Sequence, residues 1–337
     1  MSIQETNLKA IADAIRAKTG ETGTIVANDF AAKIAAIPTG TGVAKPSWVK
    51  TMLDDSVYWD SVCYGDGKFI AVNSNGTIAA YSTDGVTWTQ TTLPASVNWN
   101  SVCYGNGKFV AVASSSAIAA YSTDGIAWTQ TNMPGSRRWT SVCYGGGKFV
   151  AVCSSSMLPA YSTDGITWSS GRLPTSINWK SVCYGNGKFV AVATDSAVAA
   201  YSTDGITWTQ TTLPSSTYWS SVCYGNGKFV AVVGTSMNSS SVAAYSVDGI
   251  NWTQTTLPTT TGWYSVCYGN GKFVTVANYN ERTGTTAAYS TDGINWTWTR
   301  LPAAAVWRVV CYGDGKFVAM ADDAIAAYLK DSFDEWA

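Results

Sequence analysis

Six aspartates recur in one short motif, and repeated carboxylates are the first groups in this sequence that could do chemistry. The motif reads Tyr-Ser-x-Asp-Gly-x-x-Trp, and its aspartates are Asp84, Asp124, Asp164, Asp204, Asp248 and Asp292. A carboxylate can act as a general acid or base, or as a nucleophile. It can also accept hydrogen bonds from the N–H groups of a turn in which Gly supplies the unusual φ and Trp fills the gap between sheets. We predict this structural role for the six aspartates.

The other residues that catalysis usually needs are sparse. The chain has no His, which removes the commonest general base and metal ligand. No Arg recurs at a fixed place in the repeats, and the motif Gly-x-Gly-Lys joins two strand-like runs rather than opening a helix, so it is no phosphate loop. No metal-ligand spacing appears. We therefore expect no catalytic residue, no metal, no cofactor and no enzymatic activity.

The elements that carry these motifs repeat about every forty residues. One cysteine recurs at steps of 40, 40, 40, 40, 44 and 44 residues, as Cys63, Cys103, Cys143, Cys183, Cys223, Cys267 and Cys311. Each copy holds four strand-like runs, which we call A to D; in one copy they are 101–104, 108–112, 119–122 and 128–131. Runs rich in β-branched and aromatic residues, separated by Gly-containing turns, are typical of propeller blades. The sequence predicts an all-β, seven-bladed β-propeller with four-stranded antiparallel blades.

The two ends of the repeat region complement each other. Residues 48–53 match a D run without its own A, B and C, whereas the last copy has A, B and C but no D. We expect the N-terminal strand to complete the last blade, so that residues 48–337 form one closed ring without an open edge.

The first forty residues lie outside the repeat and show helical periodicity. Apolar residues at helical spacing give two stripes, which include Leu8, Ile11, Ile15, Phe30 and Ile34. We predict a small helical anchoring or oligomerisation domain over 1–40 and a Pro- and Gly-containing linker over 41–47.

Composition excludes several classes of partner. The net charge is −1 with scattered basic residues, which does not fit nucleic-acid binding, and no apolar run is long enough for membrane insertion. The N-terminus lacks the cationic and apolar regions of a signal peptide. We interpret the recurring cysteines as buried apolar thiols, with a soft-metal ring or redox role as the alternative.

The copies differ at one end of the blades. In a four-stranded meander the A–B and C–D turns share one rim, and the B–C and D–A loops share the other. The first rim is nearly uniform, whereas the loops and the residues flanking the A-run Trp vary. Loops on a rigid scaffold commonly carry binding residues, although drift in exposed loops is the alternative. The candidate ligand-binding residues are Tyr58, Arg137, Arg138, Lys180, Tyr218, Tyr264, Tyr279, Arg282 and Arg308.

Two resemblances accompany these patterns. The turn motif resembles the Asp-box of sialidase-like propellers, with one residue fewer between Asp and Trp. Those enzymes' arginine triad and Tyr–Glu pair have no evident counterpart here. The leader over residues 8–20 and 30–37 resembles that of tail and minor structural proteins of phages and prophages of Gram-positive gut bacteria, and the propeller copies are similar to repeats in such proteins.

The phage resemblance implies a non-enzymatic virion attachment protein. In this interpretation it is a tail fibre or receptor-binding module, assembled in the host cytoplasm, whose propeller binds a host cell-surface glycan or protein. Its leader docks on other virion or tail proteins and could support a homo-oligomer. The alternative is a free-standing carbohydrate-binding lectin or adhesin, and a sialidase-like glycosidase is the least favoured. A lectin with one pocket per blade should repeat its binding residues, which favours a single composite site.

Overall fold

The structure is a computed structural model that describes residues 47–330 except 54–56, 235–238, 278–283 and 323. The predicted helical domain, with Leu8, Ile11, Ile15, Phe30 and Ile34, lies outside the described residues, as do most of the linker and the C-terminal residues from 331 onward. The described residues are all strand, turn and loop, and they include no helix that could cross a membrane.

Short strands alternate with tight turns along the described chain. The first half contains β1 (Trp48–Met52), β2 (Trp59–Gly65), β3 (Lys68–Asn73), β4 (Gly76–Ser82), β5 (Thr89–Gly105), β6 (Lys108–Ser114), β7 (Ser116–Ser122), β8 (Thr129–Gly145), β9 (Lys148–Ser156), β10 (Ala160–Ser162), β11 (Ser169–Ser170), β12 (Ile177–Gly185) and β13 (Lys188–Ala193). The second half contains β14 (Ser196–Ser202), β15 (Thr209–Thr217), β16 (Trp219–Gly225), β17 (Lys228–Val233), β18 (Ser240–Ser246), β19 (Thr253–Thr261), β20 (Trp263–Gly269), β21 (Lys272–Ala277), β22 (Thr286–Ser290), β23 (Thr297–Arg300), β24 (Trp307–Gly313), β25 (Lys316–Ala321) and β26 (Ile325–Lys330).

The strands pair as repeated antiparallel sheets in the order A-B-C-D. Strands β16–β19 form one four-stranded sheet and β20–β23 another. In β5 and β8 the D position of one repeat runs without a break into the A position of the next, which joins consecutive repeats into a longer sheet. The A–B hairpins have two-residue turns with positive φ, such as 46° at Asn106 and 72° at Gly107, as the Gly-Asn-Gly pattern predicts.

The two kinds of turn lie at one end of the sheets. The side-chain amide of Asn106, in an A–B turn, donates to the carbonyl of Thr163, in the C–D turn of the following repeat, at 3.2 Å. Asn226 makes the same contact with Thr291 at 3.1 Å. We call this end the turn rim, and the opposite end, with the B–C and D–A loops, the loop rim.

Neighbouring A strands pack through a repeated pair of contacts. A Cβ on Gly65 would lie 2.0 Å from Cγ of Tyr104, so only glycine lets that ring approach. Near the loop rim, the Ser61 hydroxyl oxygen accepts the Val102 N–H at 3.1 Å. The Gly–Tyr contact recurs between successive A strands and also joins Gly313 in β24 to Tyr64 in β2, where the corresponding distance is 2.1 Å.

Strand β1 joins the sheet that the last three strands of the repeat region form. It is antiparallel to β26, with Trp48 opposite Leu329, in a sheet of order β1-β26-β25-β24. The Thr51 hydroxyl donates to the Val86 carbonyl at 2.5 Å, just as Thr91 in a D position donates to Ile126 at 2.6 Å. Strand β1 thus makes the contacts of a D strand.

Candidate binding site

A β-bulge interrupts every A–B pair at the residue that follows the A-strand Trp. In the second repeat Trp99 lies opposite Ala113 and Ser101 opposite Val112, which leaves Asn100 outside the ladder. A bulge re-aims the side chain of its extra residue. We call the residues at this position the bulge ring: Asp60, Asn100, Thr140, Lys180, Ser220, Tyr264 and Arg308.

The bulge ring lies between two adjoining cavities. A wide cavity of about 540 Å³, which we call the mouth, is lined by six residues of the bulge ring together with residues of the loop rim. A smaller cavity of about 130 Å³, which we call the chamber, is lined by the whole bulge ring and by the residues that follow it. The loop-rim residues of the mouth are Arg138, Ser154, Asn178, Thr194, Asp195, Tyr218, Gly234, Val306 and Asp322.

Three members of the bulge ring hold neighbouring sheets together. The Asn100 amide donates to the carbonyl of Trp139 at 3.0 Å, and the hydroxyls of Thr140 and Ser220 make the equivalent bonds in their own repeats at 2.8 and 2.7 Å. The other four members carry a charge or an aromatic ring. Lys180, Tyr264 and Arg308 line both cavities, whereas Asp60 lines only the chamber.

An ion cluster crosses from the last sheet to the first. The Arg308 guanidinium donates through Nε and Nη2 to both carboxylate oxygens of Asp322, and its Nη1 lies 3.5 Å from Oδ1 of Asp60. The Tyr58 ring centroid is 5.4 Å from the Arg308 guanidinium carbon. The Asp322 side chain is 10% exposed and those of Arg308 and Asp60 are 23% and 22% exposed, so the charged groups are partly shielded from water.

Burial and charge act against each other in this cluster. Burial raises the pKa of Asp60, and the attraction of Arg308 and Lys180 offsets only part of that effect. Burial would lower the pKa of Arg308, but hydrogen bonding and attraction to Asp322 outweigh it and raise that pKa. The pKa of Asp60 therefore lies above that of an ordinary Asp.

Aromatic residues give the mouth its apolar surface. The Lys180 ammonium group lies 5.3 Å from the centroid of the Tyr264 ring, within cation–π range. Tyr218 lines the mouth at the position just before the A-strand Trp of its repeat.

The mouth brings together five of the candidate residues from the sequence, which are Arg138, Lys180, Tyr218, Tyr264 and Arg308. Tyr58 contacts Arg308 beside the mouth, whereas the Arg137 guanidinium lies 5.6 Å from the Trp139 ring and does not line the cavity. Tyr279 and Arg282 lie outside the described residues.

Sequence reasoning missed Asp322 and gave Asp60 no role. Aligning the copies places Asp322 where other repeats have Ser154 or Thr194, so an acid in place of a hydroxyl was the available signal. Asp322 matters because it accepts hydrogen bonds from Arg308, and an alignment of the repeats does not show that these two positions are in contact.

The turn aspartates lie at the turn rim, away from the mouth. The Asp124 carboxylate accepts the N–H groups of Ile126 at 2.8 Å and Ala127 at 2.9 Å, and the Ser122 hydroxyl at 2.9 Å. These bonds, with that of Ile126 first, hold the pKa of Asp124 below its ordinary value. The same pattern recurs at Asp84, Asp164, Asp204, Asp248 and Asp292.

The cysteines of the repeat lie on the A strands as free thiols. Burial raises the pKa of each of them, as at Cys103. Within the described part of the chain, no three His, Cys, Asp or Glu side chains cluster closely enough to hold a metal ion.

Comparison with known proteins identifies the fold. No protein-family model matches the sequence, and no curated protein sequence matches it. The structure is similar to virginiamycin B lyase from Staphylococcus aureus, with a TM-score of 0.74 at 11% identity over 84% of this chain and 99% of that one. It is also similar to a streptogramin B lyase, with a TM-score of 0.71 at 11% identity over 83% and 96% of the two chains.

A third similar structure is YCF48 bound to a D1 peptide, with a TM-score of 0.65 at 16% identity over 86% of this chain and 99% of that one. These structures are β-propellers, so the prediction of an all-β propeller with repeated four-stranded antiparallel sheets is confirmed. At such low identity the likeness shows the fold alone.

The exclusion of enzymatic activity drawn from the sequence is wrong, because lyases share this fold. The physical reason is that a rigid scaffold of this kind can carry either catalytic or binding residues on its loops. The absence of His and of known motifs therefore does not remove catalysis from such a scaffold.

Proposed function

We propose that the chain is a virion attachment protein, a phage tail fibre or receptor-binding module whose mouth binds a glycan or protein on the host cell surface. The observation that carries the proposal is the bulge ring, in which a different residue occupies each equivalent position of an otherwise uniform scaffold. Scaffold residues that only maintain packing would repeat, as the Gly–Tyr pairs of the A strands do.

The proposal includes a closed ring of seven blades. Its support is that β1 fills the D position beside β26 and that Gly313 contacts Tyr64 as other A-strand glycines contact the next tyrosine. A closed ring fixes the bulge ring as one rigid constellation, which is what a composite binding site requires.

The proposal also assigns a docking role to the leader. Residues 1–40 would dock on other tail proteins of the particle, or on copies of the same chain, through the stripes that contain Leu8, Ile11, Ile15, Phe30 and Ile34. The support is the amphipathic periodicity and its resemblance to phage leaders. The protein would then work in the virion after assembly in the host cytoplasm.

The alternative is a free-standing lectin or adhesin. Its support is the mixture of aromatic, amide and hydroxyl groups in the mouth, such as Tyr218 and Asn178. A protein receptor draws some support from YCF48, which is described with a bound peptide. Deleting residues 1–45 separates the two functions, because it would stop incorporation into particles for a tail protein and change nothing for a free lectin.

Cell binding by mouth variants tests the proposal. The full-length chain, labelled with a fluorophore, is mixed with a panel of Gram-positive gut isolates, and bound label is measured by flow cytometry. A variant with Arg138→Ala, Tyr218→Ala and Tyr264→Ala should lose binding by at least about tenfold, roughly 1.4 kcal/mol or more. Arg308 is left intact because it holds the first and last sheets together.

A turn-rim variant is the matched control. Lys108→Ala, Ile126→Ala and Lys188→Ala also truncate three large side chains, here at the opposite rim, and this variant should bind like the unaltered chain. Equal binding by the mouth variant and the unaltered chain would contradict the proposal.

A further inference from the structure

The charges of the mouth and chamber balance among the described residues. The cations are Arg138, Lys180 and Arg308, and the carboxylates are Asp60, Asp195 and Asp322. Arg308 is bound to two of these carboxylates, and Lys180 is attracted to Asp60. Sites that select phosphate or carboxylate groups usually present unpaired, convergent cations, most often Arg in a bidentate geometry. Arg308 is held by its carboxylates and Lys180 lies over the Tyr264 ring, so among the described residues only Arg138 lines the mouth as a cation without such a partner, and one cation does not make a convergent pair.

The remaining polar groups of the mouth are uncharged and partly pre-positioned. The Asn178 side-chain oxygen accepts the Ser154 hydroxyl at 2.7 Å and the Ser155 hydroxyl at 2.9 Å. Because these bonds occupy the oxygen and fix the amide, its two N–H groups remain as donors in the lining of the mouth. Thr194 and Ser154 add hydroxyls beside it.

The size of the mouth favours the end of an extended chain over a folded protein as the ligand. Its volume of about 540 Å³ lies within the range of cavities that enclose small ligands. A folded protein partner commonly needs a contact area of about 800 Å² on each side. Tyr218 and Tyr264 supply aromatic surface for the C–H face of a sugar ring, and the amide and hydroxyls can bond to sugar hydroxyls.

We infer that the mouth binds the uncharged end of a saccharide chain, with Asn178 as the donor that selects it. This inference rests on the proposed function, since it names the chemical class of the surface ligand. It separates a neutral saccharide from an acidic glycan, which would need free cations, and from a protein receptor.

Treatment of the target cells tests the chemical class without knowing the receptor. The labelled full-length chain is applied to untreated isolates, to isolates oxidised with periodate, which cleaves vicinal diols of sugars, and to isolates digested with proteinase K. Binding should fall at least about tenfold after periodate and persist after protease. It should change by less than about twofold between about 50 mM and about 500 mM NaCl, because a neutral ligand makes no ion pair that salt can screen.

The outcomes separate the two proposals. Binding that survives periodate and disappears after protease overturns the inference and leaves the proposed function standing with a protein receptor. Binding that falls steeply with salt also overturns the inference, in favour of an acidic glycan. Absence of binding to every untreated isolate overturns the proposed function and the inference together.

A matched pair of variants tests the role of Asn178. Asn178→Asp keeps the oxygen that accepts from Ser154 and Ser155 but removes the amide donors, so it should fold normally and bind at least about tenfold more weakly. Asn98→Asp makes the same change at the same repeat position, where the residue does not line the mouth, and it should bind normally. Unaltered binding by Asn178→Asp would remove this residue from the site.

Discussion

At the scale of single residues, buried scaffold residues and the bulge residues, for which we propose a binding role, alternate along one short stretch of each A strand. In the second repeat Trp99 is fully buried, and the Ser101 hydroxyl accepts the Val142 N–H of the next sheet at 3.0 Å. Asn100, between them, stands outside the ladder because of the bulge. The bulge residue can therefore differ from copy to copy without disturbing either neighbour, which explains how uniform repeats carry a varied mouth.

The turn aspartates make a residue-scale prediction about stability. Asp124→Ala removes the acceptor for two backbone N–H groups and should lower the free energy of unfolding by about 1 kcal/mol. Asp66→Asn is the control, because Asn106 and Asn186 occupy the same positive-φ position in other copies, and it should leave stability unchanged. Urea unfolding measures both, and a neutral Asp124→Ala would contradict the structural role.

Acid should weaken the six turns together. The folded-state pKa of Asp124 and its equivalents lies below the unfolded value, so their stabilising effect is present above about pH 4. It is lost as the pH falls through the folded-state pKa. The melting temperature should drop between about pH 4 and pH 2, and Asp124→Ala should show a smaller drop than the unaltered chain. Identical acid profiles would contradict this contribution.

Substitution of the two carboxylates of the ion cluster, Asp60 and Asp322, should have different effects on stability. Burial raises the pKa of Asp60, so its charged form is disfavoured in the folded protein; the stabilising effect lies below about pH 4 and is lost as the pH rises through the folded-state pKa. Asp60→Asn, which mimics the protonated form, should be neutral or slightly stabilising at pH 7. Asp322→Asn breaks the paired hydrogen bonds with Arg308 and should cost about 2 kcal/mol. Equal losses in thermal unfolding would contradict this assignment.

At the scale of elements, β1 is the strand whose position depends most on distant sequence. Its Trp48 is buried in the cluster formed by the last sheets, with Trp307 and Leu329, and its Thr51 bonds to the first C–D turn. It therefore contacts both ends of the repeat array. An element with this position should unfold together with the sheets that it contacts rather than fray from them.

Truncation of Trp48 tests that position. Trp48→Ala should lower the free energy of unfolding by about 3–5 kcal/mol, the usual cost of removing a buried Trp side chain. Trp208→Ala is the matched control, since both side chains are 6% exposed and Trp208 lies within an interior repeat. Similar losses in urea unfolding support β1 as an integral strand, and a negligible loss for Trp48→Ala alone would show that β1 is dispensable.

At the scale of the whole molecule, one junction between sheets is built differently from the rest. At the other junctions, a serine at the position of Ser101 accepts a backbone N–H from the next A strand through its hydroxyl oxygen. The last A strand has Val309 at this position and therefore no such acceptor. At this junction the ion pair of Arg308 with Asp60 and the strand β1 link the two sheets. The first and last sheets thus meet where an ion pair replaces the repeated hydrogen bond.

This difference predicts a reciprocal pair of substitutions. Ser101→Val should destabilise the fold by about 1 kcal/mol, because the Val142 N–H loses its acceptor. Val309→Ser should not destabilise it, since the new hydroxyl can accept the Val62 N–H as other serines accept theirs. Thermal unfolding measures both, and a larger loss for Val309→Ser than for Ser101→Val would contradict the repeated hydrogen bond as a determinant of the junction.

The repeat made the fold largely predictable, whereas the site was predictable only in part. Gly-Asn-Gly and Asp-Gly turns every forty residues predict strand order and which loops share a rim, because those are local features. The bulge at Asn100 depends on pairing register, and the contact between Asp60 and Arg308 joins residues 248 positions apart. No local sequence pattern predicts the bulge or this contact. The absence of catalytic motifs was a poor guide to activity, because it excludes only those active sites whose sequence patterns are already known.

Steric blocking of the mouth tests most directly whether it is the binding surface. Thr194→Cys in the mouth and Ile126→Cys at the turn rim are each labelled with a polyethylene glycol maleimide, and the unaltered chain, whose buried thiols have raised pKa values, controls for background labelling. The account predicts that labelled Thr194→Cys loses cell binding that its unlabelled form retains, while labelled Ile126→Cys binds normally. Loss of binding on labelling Ile126→Cys alone would place the binding surface on the opposite rim and contradict it.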